Sequence, residues 1–304
     1  MFGIFLNMEN SAPSCVGSAT EIHEHFAQIG GARMRYLKAG SGPPLVLIHG
    51  LLGYSFSWRY TLPALAPHAA VYAVDMLGAG FSDHPADLDC SLRGAAQRVL
   101  QFADAVGLKT FDLLGTSHGG GVAMMLAAAC ADLPRPKLRK LVLVAPINPW
   151  SQHGRRFAPL MGNPAISALF KIAVTGMTWT HHYWLARMYG DPCRIPEGTL
   201  DGYRAPYRKG DDYNTGLKIA RRWNEDMHDL ESIMPKIADC STLLMWGSHD
   251  PAVCASSAEP LRQVFRDCRL RIFPGVGHLP YEEVPEDFNK ELICFLADAP
   301  RMAE

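Results

Sequence analysis

The sequence lacks any apolar run near the roughly 20 residues that a membrane-spanning helix requires, so no spanning segment is expected. It lacks net charge: 29 lysines and arginines against 30 aspartates and glutamates leave −1. That excludes a global field drawing the chain to nucleic acid or to an acidic membrane, and neither is expected as a partner. It lacks a Cys-x-x-Cys pair among its eight cysteines. Scattered thiols in a chain too large to need staples read as free cysteines in a reducing compartment, here the cytoplasm. Internal repeats and low-complexity tracts are also missing. What is there is an ordinary globular composition, 48% apolar and 19% charged over 304 residues, enough for one large domain or a core with an insertion. Met1 to Met8 is apolar but has no basic flank and no small-residue cleavage site, so a secretory signal is not expected. Residues 1–20 read as an N-terminal extension; the alternative is that Phe2-Gly3-Ile4-Phe5-Leu6 docks on a partner or a membrane surface.

Short apolar runs alternate with helical patterns. Leu45–Ile48, Val71–Val74, Phe111–Leu114, Leu141–Val144, Thr242–Trp246 and Leu270–Phe273 read as strands, and their largely continuous rather than alternating apolarity suits strands covered on both faces. Leu92–Val106, Gly120–Cys130 and Pro285–Leu296 carry helical spacing. The alternation predicts an α/β fold, a mostly parallel central sheet with helices on both faces, and Gln28–Ala39 leaves room for an opening hairpin. Residues 149–234 show no clean strand and carry Trp150, Trp179, Trp184 and Trp223. They read as a helical insertion, with 21–148 and 235–304 forming the core.

Gly115-Thr116-Ser117-His118-Gly119 lies where an apolar strand meets a helical run. A chain that turns abruptly from strand to helix strains the residue at the bend and requires small neighbours two before and two after it. The bend pushes the Ser117 hydroxyl out of the sheet edge. A serine needs a base, and His278, just after the last apolar strand in Pro274-Gly275-Val276-Gly277-His278, is the best placed of the 12 histidines. Asp250, after another strand in Trp246-Gly247-Ser248-His249-Asp250-Pro251, is the candidate orienting carboxylate; capping a turn ahead of Pro251 is its alternative role. Leu51 N–H, after His49-Gly50, and His118 N–H are the candidate oxyanion donors. His49 itself reads as structural. Glu282 and Glu283 are explained as acidic residues near the helix start at Pro285.

In this order, His49-Gly50, then Asp75-Met76-Leu77-Gly78-Ala79-Gly80-Phe81-Ser82-Asp83, then the serine bend, then Asp250 and His278, the chain resembles the α/β-hydrolase superfamily from about His25 to Ala297. The resemblance implies an esterase-like serine hydrolase with a Ser117–Asp250–His278 triad, a helical cap over 149–234, and no metal or organic cofactor. The substrate it implies is a small ester, and the aromatic and methionine content of the insertion suggests an apolar acyl or aryl group. Haloalkane dehalogenases and epoxide hydrolases share the layout but place aspartate at the bend, so Ser117 argues against both. Carbon–carbon bond hydrolases typically carry Asn and Trp where this chain has Thr116 and Leu279. Gly119-Gly120-Gly121 is similar to cofactor-free haloperoxidases and perhydrolases. A small-molecule receptor with a vestigial triad is the alternative outside enzymology.

Overall fold

The computed structural model describes residues 20–298 apart from 135, 152–159, 161–162, 164, 170–177 and 208–212. The described strands are β1 (Ile22–Ile29), β2 (Ala32–Ala39), β3 (Pro44–Ile48), β4 (Ala70–Val74), β5 (Thr110–Thr116), β6 (Lys137–Val144), β7 (Thr242–Gly247) and β8 (Cys268–Phe273). They form one sheet in the order β1-β2-β4-β3-β5-β6-β7-β8. Strand β2 pairs antiparallel with β1 and β4, and every pairing from β4 through β8 is parallel.

Helices cover both faces, as expected. Among the described residues they include α1 (Leu62–Leu65), α2 (Leu92–Ala105), α3 (Ser117–Ala131), α4 (Thr178–Met188), α5 (Thr199–Arg204), α6 (Asn214–Ile237), α7 (Ala258–Arg262), α8 (Pro280–Glu283) and α9 (Pro285–Ala297). The inner strands read as largely apolar runs because successive side chains enter different cores. Val46 and Ile48 pack with Phe102 of α2, Val122 of α3 and Leu230 of α6. Leu45 and Leu47 pack with Leu62 of α1 and Phe288 and Leu292 of α9. The Ser91 Oγ caps α2 by accepting the Gly94 N–H at 2.9 Å, which satisfies one donor of the first turn. α3 is buried nearly all round and accordingly has no polar stripe.

The opening hairpin starts earlier than expected, at Ile22 rather than Gln28. Ile22 to Phe26 are all exposed, and an edge strand facing solvent carries little apolar signal. The elements described between β6 and β7 are helical, and α6 continues through Met234 to Ile237, with Leu230 and Ile237 in the core. The seven described cysteines are free thiols. The N-terminal extension lies, but for Thr20, outside the described residues, as do Cys15 and parts of the 149–234 segment. No helix among the described residues is long and apolar enough to cross a membrane.

Candidate active site

The carboxyl ends of the parallel strands share one edge of the sheet, where loops converge. Gly50 follows β3, Ser117 follows β5, Asp250 follows β7 and His278 follows β8. The residues singled out in the sequence therefore come to one edge from four strands.

Ser117 sits at the bend with φ +53°, a left-handed conformation that costs an L-residue about 1–2 kcal/mol. Its surroundings hold it there. A Cβ on Gly115 would lie 2.3 Å from Gly119 O, and one on Gly119 would lie 2.2 Å from His49 O. Both flanking glycines are thus required by close backbone approach. Ile147 N–H donates to Ser117 O at 3.0 Å and braces the bend from the end of β6. Ser117 Cβ lies 3.1 Å from where a Gly50 Cβ would stand, so the loop after β3 is directly beside it.

That loop turns tightly: Gly53 N–H donates to Gly50 O at 3.1 Å, and Leu52 takes φ +58°. Leu51 lies inside this turn, one residue past the Gly50–Ser117 contact. His118 N–H lies in the first turn of α3, where no helical carbonyl is available to it. His49 holds the loop in place. Its Nε2 accepts the Met76 N–H at 3.0 Å, so the proton is on Nδ1, which bonds Gly50 O at 2.8 Å. Burial holds its pKa below the usual histidine value, against the opposing pull of Gly50 O and Asp75. The Asp75–Ser82 run is scaffold for the same loop: Asp75 Oδ1 accepts the Ser55 N–H at 2.7 Å, and Oδ2 accepts from Arg35 and Phe81.

His278 Nδ1 and Asp250 Oδ2 are 2.7 Å apart, and both residues are buried. Asp250 Oδ1 accepts the Ala252 and Val253 N–H groups at 2.8 and 2.9 Å. The two sequence readings of Asp250, partner of histidine and cap of a turn, are both realised, one oxygen each. The ring hydrogen bond of His278 is to Asp250, and none joins it to Ser117 Oγ.

Two residues require correction. Glu282 and Glu283 are not simply acidic residues ahead of a helix; their side chains are wholly buried. Glu282 Oε2 accepts from Arg59 at 2.8 Å and from Tyr189 OH at 2.7 Å, and Oε1 accepts from Tyr203 OH. Glu283 accepts three backbone N–H groups, those of Gly190, Asp191 and Gly277. The sequence signal was weak: a Glu-Glu pair before proline is also what a helix start looks like. The His118 side chain is a second surprise. It is buried, neither ring nitrogen has a hydrogen-bond partner, and burial, followed by the nearby His49, pulls its pKa to about 4.

A model of the alpha/beta hydrolase family matches residues 45–291. The chain is similar to the 2-hydroxy-6-oxo-6-(2'-aminophenyl)hexa-2,4-dienoic acid hydrolase of Metapseudomonas resinovorans, 26% identical over 92% of this chain and 94% of that protein. It is equally similar to a monoacylglycerol lipase of Homo sapiens, 26% identical over 86% of this chain and 77% of the lipase. A soluble epoxide hydrolase of Corynebacterium sp. (strain C12) is 39% identical over a shorter stretch, 38% of this chain and 40% of that enzyme. Among solved structures, the epoxide hydrolase CorEH superposes with a TM-score of 0.77 at 25% identity, covering 91% of this chain and 99% of that one.

Proposed function

The chain belongs to the alpha/beta hydrolase family, and from that premise we propose that it is a serine hydrolase cleaving carboxylic esters, with Ser117, His278 and Asp250 as its triad. One arrangement carries the reading: a serine, not a carboxylate, at the strained bend, on the same sheet edge as a buried histidine held at 2.7 Å by an aspartate. Opening an epoxide or displacing a halide in this fold calls for a carboxylate nucleophile at that bend. Serine suits acyl transfer.

Ser117 Oγ attacks the ester carbonyl carbon while His278 Nε2 takes the hydroxyl proton. The carbonyl oxygen becomes an oxyanion, and Leu51 and His118 N–H groups donate to it. Collapse breaks the bond to the leaving oxygen, which receives the proton from His278 and departs as an alcohol. Water then loses a proton to His278 and attacks the acyl-serine, a second oxyanion collapses, and Ser117 leaves with the proton as the carboxylic acid is released. Asp250 keeps the imidazole tautomer that leaves Nε2 free to accept, and it stabilises the imidazolium in each half-reaction. The helices described between β6 and β7 act as a cap over the site, and the Leu51, Leu52, Met76, Leu77 and Ile219 lining of the cavity beside Gly50 and His118 supports an apolar acyl or aryl substrate.

A second reading, hydrolysis of a carbon–carbon bond, is favoured by the long match to the Metapseudomonas resinovorans enzyme. Thr116 and Leu279, where such enzymes typically carry Asn and Trp, weigh against it. The test is labelling with a fluorophosphonate followed by rates on a panel of para-nitrophenyl esters. Wild type should label at Ser117, and Ser117→Ala should lose label and turnover by a factor on the order of 10⁶ while keeping its fold. Ester rates that survive in Ser117→Ala would refute the reading. Labelling with turnover confined to carbon–carbon substrates would select the second.

A further inference from the structure

The segment that leaves α4 runs backbone against backbone with the loop carrying His278. Met188, the last residue of α4, accepts the His278 N–H on its carbonyl at 2.6 Å. Glycines permit the approach. A Cβ on Gly277 would lie 2.3 Å from Met188 O and 2.5 Å from Gly190 N, and one on Gly190 would lie 2.2 Å from Gly275 O. The start of the loop is tied to the core, since Ser248 N–H donates to Phe273 O and His249 N–H to Val276 O. His278 is held on the core side through its ring by Asp250 and through its backbone N–H by Met188 at the end of α4.

Glu283 bridges this seam. Its Oε2 accepts the N–H of Gly277 at 2.8 Å and of Gly190 at 2.9 Å. Its Oε1 accepts the N–H of Asp191 at 3.1 Å and Nη1 of Arg194 at 3.2 Å. A buried carboxylate collecting four donors makes strong charge-assisted bonds, and here three of the donors come from the cap side and one from the histidine loop. Glu282 makes the neighbouring bridge, joining Tyr189 and Tyr203 to Arg59 of the core.

We propose that Glu283 is a positioning residue for His278. It locks Met188–Asp191 to Gly275–His278, so that the placement of the imidazole depends on the cap and a substrate that seats the cap also seats the base. The proposal rests on the ester-hydrolase reading for its kinetic consequence, while its structural consequence is independent of substrate.

Glu283→Gln tests it. Glutamine has one acceptor oxygen, so whichever way the amide turns, its NH₂ faces two of the four donors. The kcat on a para-nitrophenyl ester should fall about 10- to 100-fold, the scale set by a small misplacement of a reacting group, with KM little changed. The fluorophosphonate labelling rate should fall in parallel. The low-field proton resonance of the His278–Asp250 hydrogen bond, assigned by its loss in His278→Ala, should broaden through faster exchange. Gly190→Ala leaves the carboxylate intact, pries the same seam open from the cap side, and should act alike; it carries the test if Glu283→Gln does not fold. A wild-type kcat with an unbroadened resonance overturns the proposal, as does a lowered Tm with kcat unchanged. A wild type that never labels at Ser117 overturns the hydrolase reading instead, and the resonance still decides the role of Glu283.

Discussion

Asp250 and His278 meet through Oδ2 and Nδ1 at 2.7 Å, while the other Asp250 oxygen holds the Ala252 and Val253 N–H groups. One carboxylate thereby fixes both the imidazole and the turn that presents it.

Asp250→Asn separates the two duties. The amide oxygen keeps the turn, and its NH₂ then faces His278 Nδ1. The ring must answer by moving its proton to Nε2, the atom that in the proposed mechanism accepts the Ser117 proton. Turnover should fall by a factor on the order of 10⁴, less than for Ser117→Ala, with the melting temperature nearly unchanged. Steady-state ester hydrolysis and a thermal melt check this. A wild-type rate would place the orienting acid elsewhere.

Acid should destabilise the fold through His49 and His118. Burial lowers both pKa values, that of His118 to about 4, whereas an imidazole in the unfolded chain titrates near 6.5. Below about pH 6.5 the unfolded state binds protons that the folded state refuses. The stability contributed by His118 is therefore full above that pH and is lost as pH drops toward about 4, by as much as ~1.4 kcal/mol per pH unit, and His49 adds a loss in the same direction. Urea unfolding at about pH 7.5 and about pH 5 measures the slope. His118→Met removes one titrating group and keeps the backbone donor, so its slope should be shallower. Identical slopes in the two proteins would show that His118 does not titrate on unfolding.

The inner parallel strands β3, β4 and β7 were legible because both of their faces are buried, which leaves little polar interruption. The serine bend was legible because its glycines answer a steric demand written in the sequence itself. The outer half of β6 was not. Lys137, Arg139 and Lys140 lie before the apolar run Leu141–Val144, yet Lys140 Nζ caps the end of α9, bonding Phe295 O at 2.6 Å and Leu296 O at 2.9 Å, and Arg139 pairs with Asp112. A charge satisfied only by residues distant in sequence gives no local signal. Glu282 and Glu283 were missed for the same reason: their partners, from Arg59 to Arg194, are assembled only by the fold.

Arg59 offers the sharpest test of that buried assembly. Its guanidinium, 17% exposed, bonds Glu282 Oε2 at 2.8 Å and lies over the Phe56 and Tyr60 rings at 4.2 and 4.6 Å. Burial alone would lower the Arg59 pKa, but the hydrogen bond and charge of Glu282 raise it instead. Arg59→Met keeps much of the packing on the rings and leaves a buried carboxylate with only tyrosine hydroxyls to answer it. Breaking one side of a buried ion pair costs about 3 kcal/mol or more, a fall in Tm of roughly 5 °C or more for a chain of this size. Adding Glu282→Gln to Arg59→Met removes the stranded charge, so the double variant should recover part of the loss. A single variant that loses less than about 1 kcal/mol, or a double variant no better than the single, would show that Glu282 is solvated rather than sealed among Arg59, Tyr189 and Tyr203.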